Sequence, residues 1–217
     1  MRTFIKSFIF IVTLSLGSSA FAQMQTYRVV FESNWNAMDH LGAPRNAHFS
    51  PIVAVTHNSA YDLLPLGGLA NMALELVAEL GRTELINDEI MGQIQMGNVL
   101  DAKNTENMFI RNQVRQEFMV TVSMAHPNLS FVTMIAPSPD WIVGVRNLKL
   151  FDNQQGFFMG QVMRMPLYAI DAGTESGDMG GNFSINNPPT VPQTPIKRLR
   201  GPGFEVPFAF VSIEPVL

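Results

Sequence analysis

Two short stretches concentrate oxygen donors on a stiff backbone. In Pro137-Ser138-Pro139-Asp140-Trp141 the prolines fix φ on either side of Ser138, so Asp140 leaves a rigid turn. Asp171-Ala172-Gly173-Thr174-Glu175-Ser176-Gly177-Asp178 sets three carboxylates within eight residues, interleaved with glycine and small hydroxyl residues. A hard cation such as Ca²⁺ takes about six to eight oxygens from carboxylates, carbonyls and water. The two stretches supply that set if the fold brings them to the same end. Spacing alone leaves a second reading open, a solvated turn whose Asp side chains cap backbone N–H groups. The second stretch is not an EF-hand loop, because glycine stands at its third position and serine at its sixth.

Other chemistry is sparse. The chain has no cysteine, which excludes a disulfide scaffold, a zinc ribbon, an iron–sulfur site and a thiol nucleophile. His48 and His57 are read as structural hydrogen-bonding residues, and His40 and His126 as surface or turn residues. No His-Glu-x-x-His or nucleophile-elbow word occurs. Trp141 reads as a core anchor under the Asp140 loop, and the methionines between 119 and 134 as core filler. Asn128-Leu129-Ser130 and Asn182-Phe183-Ser184 are sequons, relevant only in a glycosylating host.

The elements that position these loops follow from periodicity. Tyr27, Val29 and Phe31 alternate with Arg28 and Glu32, which predicts a first strand. Residues 34–66 read as an irregular excursion with one short strand near Ile52 to Val55. Leu69, Met72, Ala73, Leu76, Val77 and Leu80 predict a helix over Gly68 to Leu80, stopped by Gly81 in a left-handed conformation. A second helix is expected from Thr83 as N-cap through Ile94. Asp101 to Arg115 is undecided. Phe118, Val120, Val122 and Met124 alternate; Leu129 to Ala136 suits a central strand; Trp141 to Leu150 and Phe157 to Met165 follow as strands. Phe204, Val206, Phe208 and Phe210 alternate in a last strand, with Pro207 marking an edge or a bulge. The sum is a mostly β chain, an antiparallel β-sandwich with a helical insertion.

The chain has 217 residues, 47% hydrophobic and 15% charged, enough apolar surface for a sizeable core. Its net charge of −4 speaks against a general nucleic-acid binder, which needs a basic face. Residues 1–22 read as a signal peptide: Arg2 and Lys6, an apolar run from Phe8 to Leu16, then Ala20-Phe21-Ala22 as cleavage site. Cleavage would leave a single domain, 23–217, starting at Gln23 with a net charge of −6. No later stretch has the apolar length of a transmembrane segment. An exported, periplasmic or secreted protein is expected.

Several words then add a resemblance. Tyr27-Arg28-Val29-Val30-Phe31 with Asn34-Trp35, His48-Phe49-Ser50-Pro51 leading to Thr56-His57-Asn58, Pro137-Ser138-Pro139-Asp140-Trp141-Ile142-Val143-Gly144-Val145, and Leu167-Tyr168 with Asp171-Ala172-Gly173-Thr174-Glu175-Ser176-Gly177 occur in that order. The chain resembles the spondin domain of F-spondin and mindin, over roughly residues 27–195. The resemblance implies a C2-like sandwich with one bound cation, usually taken as calcium. It implies carboxylate ligands at Asp140, Asp171 and Glu175. The family usually has Asp at the last position, so Glu175 is one methylene longer. A further glutamate of some animal members falls on Thr121, and that ligand is absent here. Asp178 is a bystander by the same comparison.

The resemblance implies a secreted, non-enzymatic recognition or adhesion module with an extracellular or cell-surface ligand. Two alternatives remain at this point. One is a metal-dependent hydrolase using the same carboxylates with a histidine base. The other is a calcium-dependent lipid-surface binder, disfavoured by the charge of −6 and by the lack of a basic run next to the acidic loops in sequence.

Overall fold

The structure, a computed structural model, describes residues 23–40, 42–111, 115–177, 183 and 187–217. The predicted signal segment 1–22, Asp178 and the sequon residues Asn182 and Ser184 lie outside the described residues.

Among the described residues the chain runs through β1 (Met24–Ser33), β2 (His48–Phe49), β3 (Val53–His57), α1 (Met72–Leu80), α2 (Glu84–Gln95), β4 (Val99–Asn104), β5 (Met108–Phe109) and β6 (Arg115–Ser123). It continues with β7 (Asn128–Ala136), β8 (Trp141–Lys149), β9 (Phe151–Asp152), β10 (Gly156–Phe157), β11 (Met163–Leu167), β12 (Ile170–Asp171), β13 (Lys197–Arg198) and β14 (Ala209–Pro215). One sheet has the order β11-β14-β1-β6. The larger sheet has the order β13-β12-β8-β7-β2-β5, and β3 pairs with both β7 and β4. All pairings are antiparallel. The expected mostly β architecture with a helical insertion is what the chain forms.

The inner faces follow the period-two pattern. Tyr27, Val29 and Phe31 on β1 meet Val120 on β6 and Val211 and Ile213 on β14, all buried. They pack onto Leu129, Phe131 and Ile135 of β7 and Val143 of β8. The other face of β7 and β8 is covered by the helices. Val132 and Ile142 cluster with Leu74, Val77, Ile86 and Ile90. Two covered faces explain why Leu129 to Ala136 is continuously apolar.

The structure corrects several boundaries. α1 begins at Met72, capped by Asn71, whose side chain accepts from the Leu74 N–H at 2.9 Å, and not at Gly68. That cap also sets the phase. Ala73, Leu74, Val77 and Ala78 face the sheet, while Leu69, Met72 and Leu80 are exposed. The expected stripe was displaced around the helix because small alanines, not long side chains, permit its close approach. Gly81 is left-handed as expected, at φ 64°, and gives its N–H to Val77 O. Thr83 precedes α2 but makes no side-chain cap, because its Oγ1 accepts from Asn104 Nδ2 at 3.0 Å.

Phe157 to Met165 is not one strand but the ends of β10 and β11 with irregular chain between. The last strand starts only at Ala209, and Pro207 precedes it. β14 lies inside its sheet, between β11 and β1, so the edge expectation fails. Met119 and Met124 are 46% and 52% exposed and fill no core; Met134 does. His40 is buried, its ring 4.2 Å from Phe208 and its nitrogens against Asn36 and the Pro207 carbonyl. His57 is structural as read: Nδ1 faces the Asn58 carbonyl at 2.7 Å and Nε2 the Ser130 hydroxyl at 2.8 Å.

The two ends of α1 make a local prediction. A methyl at Gly81 would stand 2.8 Å from Ser50 Cβ and in a left-handed backbone. Gly81→Ala should cost about 1–3 kcal/mol, and Asn71→Ala about 1 kcal/mol. Urea unfolding of both variants checks this; an unchanged midpoint for Gly81→Ala would contradict the packing described.

Candidate metal centre

β7 ends at Ala136 and β8 restarts at Trp141, so the chain must reverse within four residues. Ser138 closes that turn: its buried hydroxyl accepts from the Trp141 N–H at 3.0 Å. Trp141 anchors it from below, edge-on to Phe204 at 4.9 Å and to Phe183 at 5.6 Å. Asp140 is thereby held in place and is only 1% exposed.

The second loop is folded onto Asp140. β12 pairs with β8 through Asp171 opposite Trp141. Past β12, Asp140 Oδ2 accepts from the N–H of Thr174 at 2.8 Å and of Glu175 at 3.1 Å, and from Thr174 Oγ1 at 3.3 Å. The Asp140 carbonyl takes the Ala172 N–H at 3.1 Å. The return segment closes the loop from outside, with Thr190 N on Thr174 O at 2.7 Å and Thr194 N on Gly173 O at 2.9 Å. Gly173 is required there: φ is +76°, and a Cβ would stand 2.0 Å from Thr194 O.

The two acidic loops of the sequence therefore meet at one end of the sandwich. Asp140 and Glu175 share the site directly. Asp171 lies on its flank, with Oδ1 on the Gly173 N–H at 2.7 Å and Oδ2 3.6 Å from Lys197 Nζ. The cap reading and the cation reading are not exclusive, because Asp140 and Asp171 both hold backbone N–H groups. The structure adds a carboxylate that the sequence reading missed. Glu79, on the last turn of α1, lies near the Thr174 side chain and close enough to Glu175 for the two carboxylates to repel. Its only sequence signal was an acid at a helix C-terminus, where the dipole disfavours negative charge. Lys197 is also nearer than expected: β13 pairs with β12, so one basic side chain does lie beside the acidic loop in space.

Electrostatics marks the cluster. Burial and the Asp171 charge, opposed by the hydrogen bonds from Glu175 and Thr174, leave the Asp140 carboxyl pushed up to about 6. Burial, Glu79 and Asp140 push Glu175 up to about 7. Burial also raises Glu79. Glu175 Oε2 is buried with no hydrogen-bond partner. These are excess negative groups short of a counter-charge. Hard oxygen donors, mutual repulsion and an orphaned carboxylate oxygen fit a divalent cation in charge and donor type. As placed, no three His, Asp or Glu side chains among the described residues are gathered tightly enough to hold a metal ion. None of the four histidines makes a hydrogen bond to these carboxylates among the described residues. His48 shares a cavity of about 340 Å³ with Glu79, but its Nδ1 is on the Asn46 carbonyl at 2.8 Å.

The raised values carry a sign. A carboxyl whose pKa is higher folded than unfolded favours the fold below its unfolded value, and that contribution is lost as pH rises through about 6 to 7. In chelator, Glu175→Gln should therefore gain melting temperature over the unsubstituted protein as pH goes from 5 to 8. A difference that stays constant over that range would show that Glu175 is not crowded by its neighbours.

Comparison with known proteins places the chain in a family. The family described as Spondin_N matches residues 25–205. Spondin-1 of Rattus norvegicus and of Homo sapiens are each 34% identical over 180 residues, covering 80% of this chain and 21% of theirs. Spondin-2 of Homo sapiens is 28% identical over 153 residues, 70% of this chain and 44% of its own. The chain thus spans about a fifth of the Spondin-1 length. The match runs from β1 across the Asp140 and Asp171–Glu175 loops to the start of the final segment, and the chain belongs to the spondin N-terminal domain family.

Proposed function

We propose that this chain is an exported, non-enzymatic recognition or adhesion module whose acidic end binds one calcium ion. The observation that carries the reading is the Glu175 carboxylate oxygen buried with no hydrogen-bond partner, with the charges of Glu79 and Asp140 acting on it and Asp171 on the flank. When bound, a calcium ion would supply the missing positive charge and tie the 171–177 loop to the Asp140 turn. Asp140 and Glu175 are the residues to hold it, with Asp171 and Glu79 at the flanks. Family membership supports the recognition role, since animal members of the resemblance act in matrix and cell-surface binding. Against a hydrolase, no histidine is placed as a base on these carboxylates. No helix among the described residues is long and apolar enough to cross a membrane.

Calcium should raise the melting temperature over chelator. A ligand that binds only the folded state adds about 2.7 kcal/mol at a hundredfold excess over Kd. Asp140→Asn, Glu175→Gln and Glu79→Gln should each lose that calcium-dependent part, non-additively, while Asp152→Asn on the exposed β9–β10 hairpin should keep it. If the three variants lose equal stability with and without calcium, the carboxylates are loop caps alone.

The export reading rests on residues 1–22 of the sequence. Intact-mass measurement of the exported protein should find Gln23 as the first residue; a chain retaining Met1 would overturn it.

A further inference from the structure

Methionine is distributed over this molecule in a way that packing does not explain. Of the twelve described methionines, Met24, Met38, Met72, Met91, Met96, Met119, Met124 and Met159 are exposed, from 46% at Met119 to 91% at Met38. Only Met108 and Met134 among them are buried. Isoleucine does the reverse: eight of its ten described residues are buried. A side chain present only as apolar filler would follow isoleucine inward. The eight exposed sulfurs are also dispersed. They stand on β1 and β6, in the turns after those strands, on α1, on α2 and at its end, and after β10. That spread does not make one docking face. Most other oxidisable groups lie inside. Both tryptophans, and Tyr27 and Tyr61 of the three tyrosines, are at most 6% exposed, and the chain has no cysteine. An oxidant arriving from solvent therefore meets thioether sulfur first.

We propose that the exposed methionines are an oxidant sink, which consumes hypochlorous acid at the surface and spares the fold. The sulfur lone pair attacks the chlorine of HOCl and releases hydroxide. Water then adds to the chlorosulfonium sulfur, and chloride and two protons leave. Each sulfur gains one oxygen and gives up two electrons, which reduce the chlorine of HOCl to chloride. The sulfoxide that forms is polar. At an exposed position it stays in water, so the core is untouched. At Met108, inside the sandwich core, the same oxygen would lose its water without gaining a partner. Met134, 3% exposed on β7, is in the same position. The inference does not need the cation, so it and the calcium reading can fail separately.

The test is titration of the protein in chelator with hypochlorite, up to eight equivalents, one for each exposed sulfur. Peptide mass mapping locates the oxygens, and a thermal melt follows each step. Oxygen should appear on the eight exposed methionines while Met108 and Met134 stay unmodified, and the melting temperature should hold. A variant with Met72→Leu, Met91→Leu and Met96→Leu keeps side-chain volume at exposed helical positions and should take up three fewer oxygens. With all eight replaced by leucine, the same dose should chlorinate lysine and tyrosine side chains and lower the melting temperature. A melt before oxidant checks that this variant folds. The triple variant, given the full dose, should show the same loss in part, so the test stands on either. Oxidation of Met108 or Met134 as readily as the exposed set would overturn the proposal. So would a fall in the melting temperature of the unsubstituted protein within eight equivalents. Leucine variants that withstand the full dose as well as the unsubstituted protein would show that the methionines protect nothing.

Discussion

The loop end of this sandwich depends on one buried carboxylate. Asp140 is almost wholly removed from water, which would be costly for an isolated charge. It is tolerated because its Oδ2 satisfies two backbone N–H groups and a hydroxyl from the loop that follows β12. The same bonds that make Asp140 acceptable give the 171–177 loop its shape. Trp141 fixes the carboxylate from below, Gly173 lets the chain pass close to Thr194, and Glu175 is delivered to the site by the N–H it gives to Asp140. The loop has little other support, since β12 is two residues long.

Those hydrogen bonds do not neutralise the cluster. They lower the Asp140 pKa, yet burial and Asp171 leave it raised on balance. Glu175 lacks even that help at Oε2. Without a cation, the available relief is a proton, and a raised pKa is the measure of how readily one is taken. Lys197 offers a second counter-charge, but at 3.6 Å from Asp171 and well exposed it is a weak one. A divalent cation and a proton are thus alternative answers to the same crowding, and they act at opposite ends of the pH scale.

Much of this was legible in the sequence, and the gaps have physical causes. Both acidic loops were found because proline, glycine and carboxylates leave a local signature. β1, β7 and β8 were legible because buried faces impose period two or a continuous apolar run. β2, β4 and β5 were not. β4 is polar on its surface, and Asp101 turns back to take the Thr121 N–H of β6 at 2.8 Å, a cross-sheet bond without local pattern. The α1 face was misplaced because the apolar residues surround much of the helix and the true contact is made by alanines. Glu79 was invisible for a related reason. It belongs to the site only because Gly81 ends α1 against Ser50 and so puts the last turn beside Thr174.

β13 shows how the sheet separates two kinds of surface with one strand. Lys197 and Arg198 are sequence neighbours, so their side chains leave opposite faces. Lys197 turns to Asp171 and belongs electrostatically to the acidic end. Arg198 turns to Tyr168 and belongs to the β11 edge. A one-residue slip of β13 against β12 would exchange them, placing the stacked arginine against the carboxylates and stripping Tyr168 of its partner. The pairing of Ile170 with Arg198 and of Asp171 with Lys197 prevents this, because Ile170, on the Arg198 face, is buried in the cluster under the helices, and Leu199, on the Lys197 face, is buried in the sandwich core. The register that keeps the core apolar therefore also keeps an acidic end and an arginine-bearing edge apart on one small domain.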